Sequence, residues 1–116
     1  METVCEVQNR LQRAYSCSTC HPSYVSKWSP QRASVGQCAV TAMYLHETFD
    51  YDICDVMVGR SRHFFNRTKT GDIVDLTADQ FDCAINYDAG RIRKPSDVMK
   101  SIKDRYEILK SNMQNL

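Results

Sequence analysis

Apolar residues return along this chain with two different periods, and the changes of period mark out its elements. Val4, Val7, Leu11, Ala14 and Tyr15 recur at steps of three and four, with Glu6, Asn9, Arg10 and Arg13 between them. That spacing predicts an amphipathic helix over residues 3–16 with one face on a core. From Pro22 to Val35 the periodicity lapses into two prolines, four serines and the only tryptophan, Trp28, as expected of an ordered loop anchored by an aromatic ring. Helical spacing resumes from Gln37 to Phe49, where Ala39, Ala42, Met43, Leu45, His46 and Phe49 make a broad apolar side and Ser34 is a candidate N-cap.

The pattern then changes to β-prone runs: Ile53–Val58 ending at Gly59, Ser61–Arg67, and Asp72–Thr77. The last two flank Thr68-Lys69-Thr70-Gly71. A three-residue loop with Gly71 in the left-handed conformation would set Thr68 opposite Asp72. His63 then faces Thr77, and Asp75 becomes its diagonal neighbour on the same sheet face, roughly 7–8 Å away between Cα atoms. A four-residue loop would place the two on opposite faces. Ala78–Phe81 reads as a single helical turn, followed by a polar loop through Gly90. Pro95-Ser96 opens a last amphipathic helix carrying Val98, Ile102, Tyr106, Leu109 and Met113. The predicted fold is α+β: a central Cys-bearing helix packed on a small antiparallel sheet, with N- and C-terminal amphipathic helices.

Length adds that residues 1–116 suffice for a single domain with one core. Charge adds that there is little general attraction to polyanions. Fifteen Lys and Arg against fourteen Asp and Glu leave a formal charge of +1, so neither nucleic acid nor a membrane is an expected partner. The basic run Arg91-Ile92-Arg93-Lys94 reads as a solvated loop. Met1–Glu6 lacks the basic and apolar regions of a signal peptide, and no apolar run is long enough to span a bilayer. A cytoplasmic location is therefore expected, with the six cysteines kept as thiols.

Cys17-Ser18-Thr19-Cys20-His21 matches a haem-attachment pattern and half of a zinc knuckle, but no second C-x-x-C accompanies it. It reads as a helix end stopped by Pro22, and neither a metal nor a cofactor is expected. Cys38 is a stronger candidate for chemistry. A helix start leaves N–H groups unpaired and presents the positive end of the peptide dipole, which favours a thiolate. A buried cysteine can equally be a small hydrophobe. What distinguishes Cys38 is the set that would serve it: His63 to take and return a proton, and Asp75 to fix the imidazole. Gln37, with the Cys38 N–H, would form an oxyanion hole, and Trp28, Asn66 and Gln80 are further candidates for lining the site.

Gly36-Gln37-Cys38-Ala39-Val40-Thr41-Ala42, with Trp28-Ser29-Pro30 before it and His63-Phe64-Phe65-Asn66 and Asp75-Leu76-Thr77-Ala78-Asp79-Gln80-Phe81 after it, resembles the YunG family of small bacterial proteins. The resemblance runs from about Thr19 to Phe81. This sequence departs from the family pattern at Arg32-Ala33, where members tend to carry Asn-Pro, and it has Arg62 before His63. More distantly, the order of elements is similar to the papain-like and transglutaminase-like core, in which a Cys-bearing helix packs on a sheet bearing His and Asp or Asn.

Two functions follow as expectations. The first is a thiol enzyme acting on amide bonds through Cys38, in hydrolysis, deamidation or amide exchange, with a protein or peptide as substrate. The second is a non-catalytic binding module of the same fold that self-associates as a homodimer or inhibits a larger enzyme.

Overall fold

The computed structural model describes residues 2–116. Thr3 opens the first helix, α1 (Val4–Ala14), with a capping box: its hydroxyl accepts the Glu6 N–H and the Glu6 carboxylate accepts the Thr3 N–H, both at 3.1 Å. Val7, Leu11 and Ala14 are its buried stripe. The helix stops at Ala14 because Tyr15 turns extended. Pro22 does not stop a helix but starts one, a 3-10 stretch over Pro22–Lys27 whose N-cap is His21.

Helix α2 (Cys38–Phe49) is the central helix, with Ala39, Val40, Thr41, Ala42, Met43 and Leu45 buried. It packs against both the sheet and α3 (Pro95–Gln114), and α3 also covers α1. Val98, Ile102, Tyr106, Leu109 and Met113 form the buried stripe of α3. These residues are the five that the helical spacing singles out.

The sheet has four antiparallel strands in the order β3-β2-β1-β4: β1 (Asp52–Val58), β2 (Ser61–Arg67), β3 (Ile73–Val74) and β4 (Arg91–Arg93). The fold is thus α+β. Strand β4 is a correction to the sequence reading, which made Arg91–Lys94 a solvated loop. Its Ile92 is 62 % exposed, so no buried side chain signals a strand, and the ladder to Ile53, Cys54 and Asp55 of β1 supplies the order.

Both faces of the sheet are covered. Ile53 and Phe64 belong to the α2 side, whereas Cys54, Val56 and Phe65 form a second small cluster with Ile85 and Tyr87. The β2–β3 connection has the expected bulged turn. Gly71 lies at φ +92°, the Thr68 N–H donates to the Asp72 carbonyl at 2.8 Å, and Asn66 pairs with Val74. Among the described residues no helix is long and apolar enough to cross a membrane.

Candidate active site

The register set by Gly71 brings His63 and Asp75 to one sheet face. His63 Nε2 lies 2.7 Å from Asp75 Oδ2, with the two side chains 0 % and 4 % exposed. The carboxylate is itself held: the Tyr87 hydroxyl donates to Oδ2 at 2.7 Å and the Thr77 N–H donates to Oδ1 at 3.2 Å. Phe81 stands edge-on to the imidazole with ring centroids 4.9 Å apart, and Phe65 stacks at 6.5 Å. Burial and aromatic packing leave the ring little freedom. Asp75, through Nε2, selects its orientation.

That orientation leaves Nδ1 buried and without a formed hydrogen bond. The Cys38 thiol lies alongside. Burial works against the charged imidazole, but hydrogen bonding and charge from Asp75 and Cys38 more than offset it and raise His63 from its ordinary value to about 9. A buried imidazole that carries its proton at neutral pH, between a carboxylate and a thiol, is equipped to move that proton.

Cys38 is the first residue of α2 and is only partly buried. No side chain caps this helix, so its first N–H groups are available at the thiol. Ser34, the expected N-cap, instead donates its hydroxyl to Asp79 Oδ1 at 2.7 Å. Gly36 is obligatory in the approach to Cys38. It sits at φ +72°, and a Cβ there would meet Cys20 Sγ at 2.4 Å. Cys20 thus serves as packing beneath the loop, its thiol donating to the Val35 carbonyl at 3.3 Å.

The other expected site residues divide. Gln80 lines the cleft in front of Cys38, accepting from the Gly36 N–H at 3.2 Å and donating to the Thr77 carbonyl at 3.1 Å. The segment after Asp75 therefore clamps the loop before Cys38 through Gln80 and Asp79. Gln37 is a correction. It is fully buried, with Oε1 accepting from Thr19 at 2.7 Å and Nε2 donating to the Ser16 carbonyl at 3.1 Å, so its amide braces the N-terminal turn.

Asn66 and Trp28 are corrections as well. The Asn66 amide donates to the carbonyls of Ala42 and Asp52 at 3.0 and 3.2 Å, joining β2 to α2. The Trp28 indole donates to the Ala33 carbonyl at 2.9 Å while its ring packs on the core. All three satisfy buried polar groups within the fold, and none lines the cleft.

The cleft itself measures about 920 Å³. Cys38, Gly36 and Phe81 are in its wall, together with a group of basic side chains. Among these, Arg62, Arg91 and Arg93 converge on the buried Asp55 carboxylate. Sequence reasoning passed over Tyr87, Asp55 and Arg105. Asp55 had a visible signal, a lone acid inside a β-prone apolar run. Tyr87 and Arg105 lie in a loop and on a helix far from Cys38 in sequence, and nothing local marks them.

The family model described as "YunG protein" matches residues 3–116. The uncharacterized protein YunG of Bacillus subtilis (strain 168) is 39 % identical over 62 residues, which cover 53 % of this chain and 53 % of that protein. The matched stretch thus spans about half the length of this relative. No solved structure matches.

Proposed function

The chain belongs to the YunG family, and from the geometry at Cys38 we propose that it is a thiol enzyme acting on amide bonds by hydrolysis, deamidation or amide exchange. One observation carries the reading: His63 is buried with Nε2 on Asp75 and Nδ1 left for the Cys38 thiol. A purely structural buried histidine would be expected to satisfy both nitrogens. The helix, sheet and order of Cys, His and Asp also suit a papain-like or transglutaminase-like core, a likeness of architecture.

In this mechanism the Cys38 proton already rests on His63 Nδ1, paired with the sulfur, and the sulfur attacks the amide carbon. The carbonyl π pair moves to oxygen, where the Cys38 N–H at the uncapped start of α2 receives the charge, with the uncommitted N–H of the Gln80 amide as second donor. As the oxyanion re-forms the carbonyl, the C–N bond breaks and the departing nitrogen takes the proton from His63. A thioester remains on Cys38. Water or an amine then attacks it, His63 accepts the acceptor's proton, and the C–S bond breaks with its electron pair staying on sulfur, which restores the sulfur paired with the protonated imidazole. Asp75, held on Nε2, stabilises the charged imidazole.

The test is iodoacetamide alkylation at pH 5–9, with Cys38 followed separately from the other five cysteines by peptide mass spectrometry. Cys38 in the native protein should react roughly tenfold faster at pH 6 than a free peptide thiol. His63→Ala should abolish that advantage. Equal rates for protein and peptide, or no effect of the substitution, sink the enzyme and leave the binding module as the reading.

A further inference from the structure

The near-neutral composition conceals a strong local polarisation. Seven of the fifteen basic residues line the one cleft that contains Cys38, and among the described residues no Asp or Glu lines it. Three of the seven, Arg62, Arg91 and Arg93, share Asp55, which is 1 % exposed beneath them. One carboxylate cannot neutralise three guanidiniums, and that wall retains an excess of positive charge. Lys27, Arg32, Arg60 and Arg105 have no carboxylate partner among the described residues.

Arg105 is the most informative of these. It projects from α3 to the cleft, and its Nη1 is buried without any hydrogen-bond partner. Burying a guanidinium nitrogen unpaired is costly, and folded proteins seldom do so without a use. Arg105 and Cys38 line the same cleft, so the orphaned donor and the thiol face a common space. An anion entering the cleft would satisfy it with charge-assisted hydrogen bonds.

We propose that the cleft binds an acidic polypeptide, with Arg105 receiving a carboxylate close to the amide presented to Cys38 and the outer basic residues holding further acidic side chains. The proposal rests on the thiol-enzyme reading only for the place of the amide; binding needs no turnover. The aromatic rings of the cleft argue against single-stranded nucleic acid, which needs open faces on which bases stack. Arg93 lies over the Phe64 ring at 5.8 Å, Lys27 over Tyr24 at 5.9 Å, and Phe81 is committed edge-on to His63. Each of these three rings already has a partner.

Fluorescence anisotropy tests this with three labelled probes of equal length: a peptide of alternating Glu and Gln, the same peptide with every Glu replaced by Gln, and a single-stranded DNA. The Cys38→Ser protein is used throughout, so that binding is measured without reaction. The acidic peptide should bind at least about tenfold more tightly than the neutral one and weaken as salt rises. Arg105→Gln should weaken it by roughly tenfold and Arg60→Gln by about threefold, while Arg13→Gln on the exposed side of α1 should have no effect.

Equal binding of the acidic and neutral peptides, tighter binding of the DNA, or indifference to both cleft substitutions overturns the proposal. Should Arg105→Gln fail to fold, Arg32→Gln combined with Arg60→Gln carries the decision, since both side chains are exposed. Failure here with rapid Cys38 alkylation would leave the enzyme standing with another substrate class. Tight acidic-peptide binding with an unreactive Cys38 would do the reverse.

Discussion

Two carboxylates lie buried at the same small sheet, one on either side of β2 and on opposite faces, and they serve different ends. Asp55 on β1 faces Arg62, Arg91 and Arg93, all permanent cations. Asp75, just beyond β3, faces a histidine and a tyrosine, whose protons can move or be shared. Burial by itself would push the Asp55 carboxyl up, but the three guanidiniums outweigh it and hold the carboxyl below its ordinary value. A carboxylate given only fixed charges is a brace. One given a titratable partner can share a proton with it.

The brace should show the larger effect on stability. Asp55→Ala removes the common partner of side chains from β2 and β4 and leaves their charges crowded together. The expected loss is about 3 kcal/mol, at the lower end for a broken buried pair because Arg62 and Arg91 are 45 % and 64 % exposed and can turn to water. Urea unfolding measures it. A loss below about 1 kcal/mol would mean that the Arg–Asp55 cluster contributes little.

The same contrast predicts opposite pH edges. Asp55 is depressed in the folded state, so its contribution is present above the ordinary Asp range and is lost as pH falls through the folded value. His63 is raised to about 9, so its contribution is full below its unfolded value near 6.5 and disappears as pH climbs through 9. Stability should therefore fall by about 2–3 kcal/mol between pH 6.5 and 9.5. Urea midpoints across that range test the alkaline edge, and His63→Ala should flatten it. A slope that survives the substitution would assign the edge to another group.

Asp75→Asn sharpens the comparison further. The amide can retain a hydrogen bond to the imidazole but loses the charge that favours its protonated form. The alkaline edge should move down by at least about one pH unit, and stability at pH 7 should fall by about 1–2 kcal/mol. The alkylation advantage of Cys38 at pH 6 should shrink with it. An unmoved edge would show that Asp75 does not set the proton affinity of His63.

Much of the His63–Asp75 pair was legible in the sequence because its geometry is local. Thr68-Lys69-Thr70-Gly71 specifies a turn, the turn specifies a register, and the register puts His63 and Asp75 on one face. The helices were legible for the same reason, since helical spacing is a property of neighbours. The basic cleft was hidden because its cations come from the 3-10 stretch, the loop after it, β1–β2, β4 and α3, and their sum cancels against acids elsewhere on the chain. Gln37 misled because adjacency to Cys38 along the chain says nothing about direction. At the start of α2 its side chain points back to Ser16 and Thr19, away from the cleft.

Tyr87→Phe is the smallest change and separates positioning from charge. Burial and the neighbouring carboxylate keep the phenol protonated well past its usual range, so it remains a donor to Asp75 at every pH of interest. Removing the hydroxyl deletes one buried charge-assisted bond and should cost about 1–2 kcal/mol. It also removes the donor that shares Oδ2 with His63 and draws off the negative charge there. The Asp75–His63 bond should strengthen, and the alkaline edge should move up by a few tenths of a pH unit while the protein becomes less stable at neutrality. If Tyr87 served only to hold Asp75 in place, its loss would loosen the pair and move the edge down. The sign of that shift, read from urea midpoints of Tyr87→Phe beside Asp75→Asn, decides which role the tyrosine has.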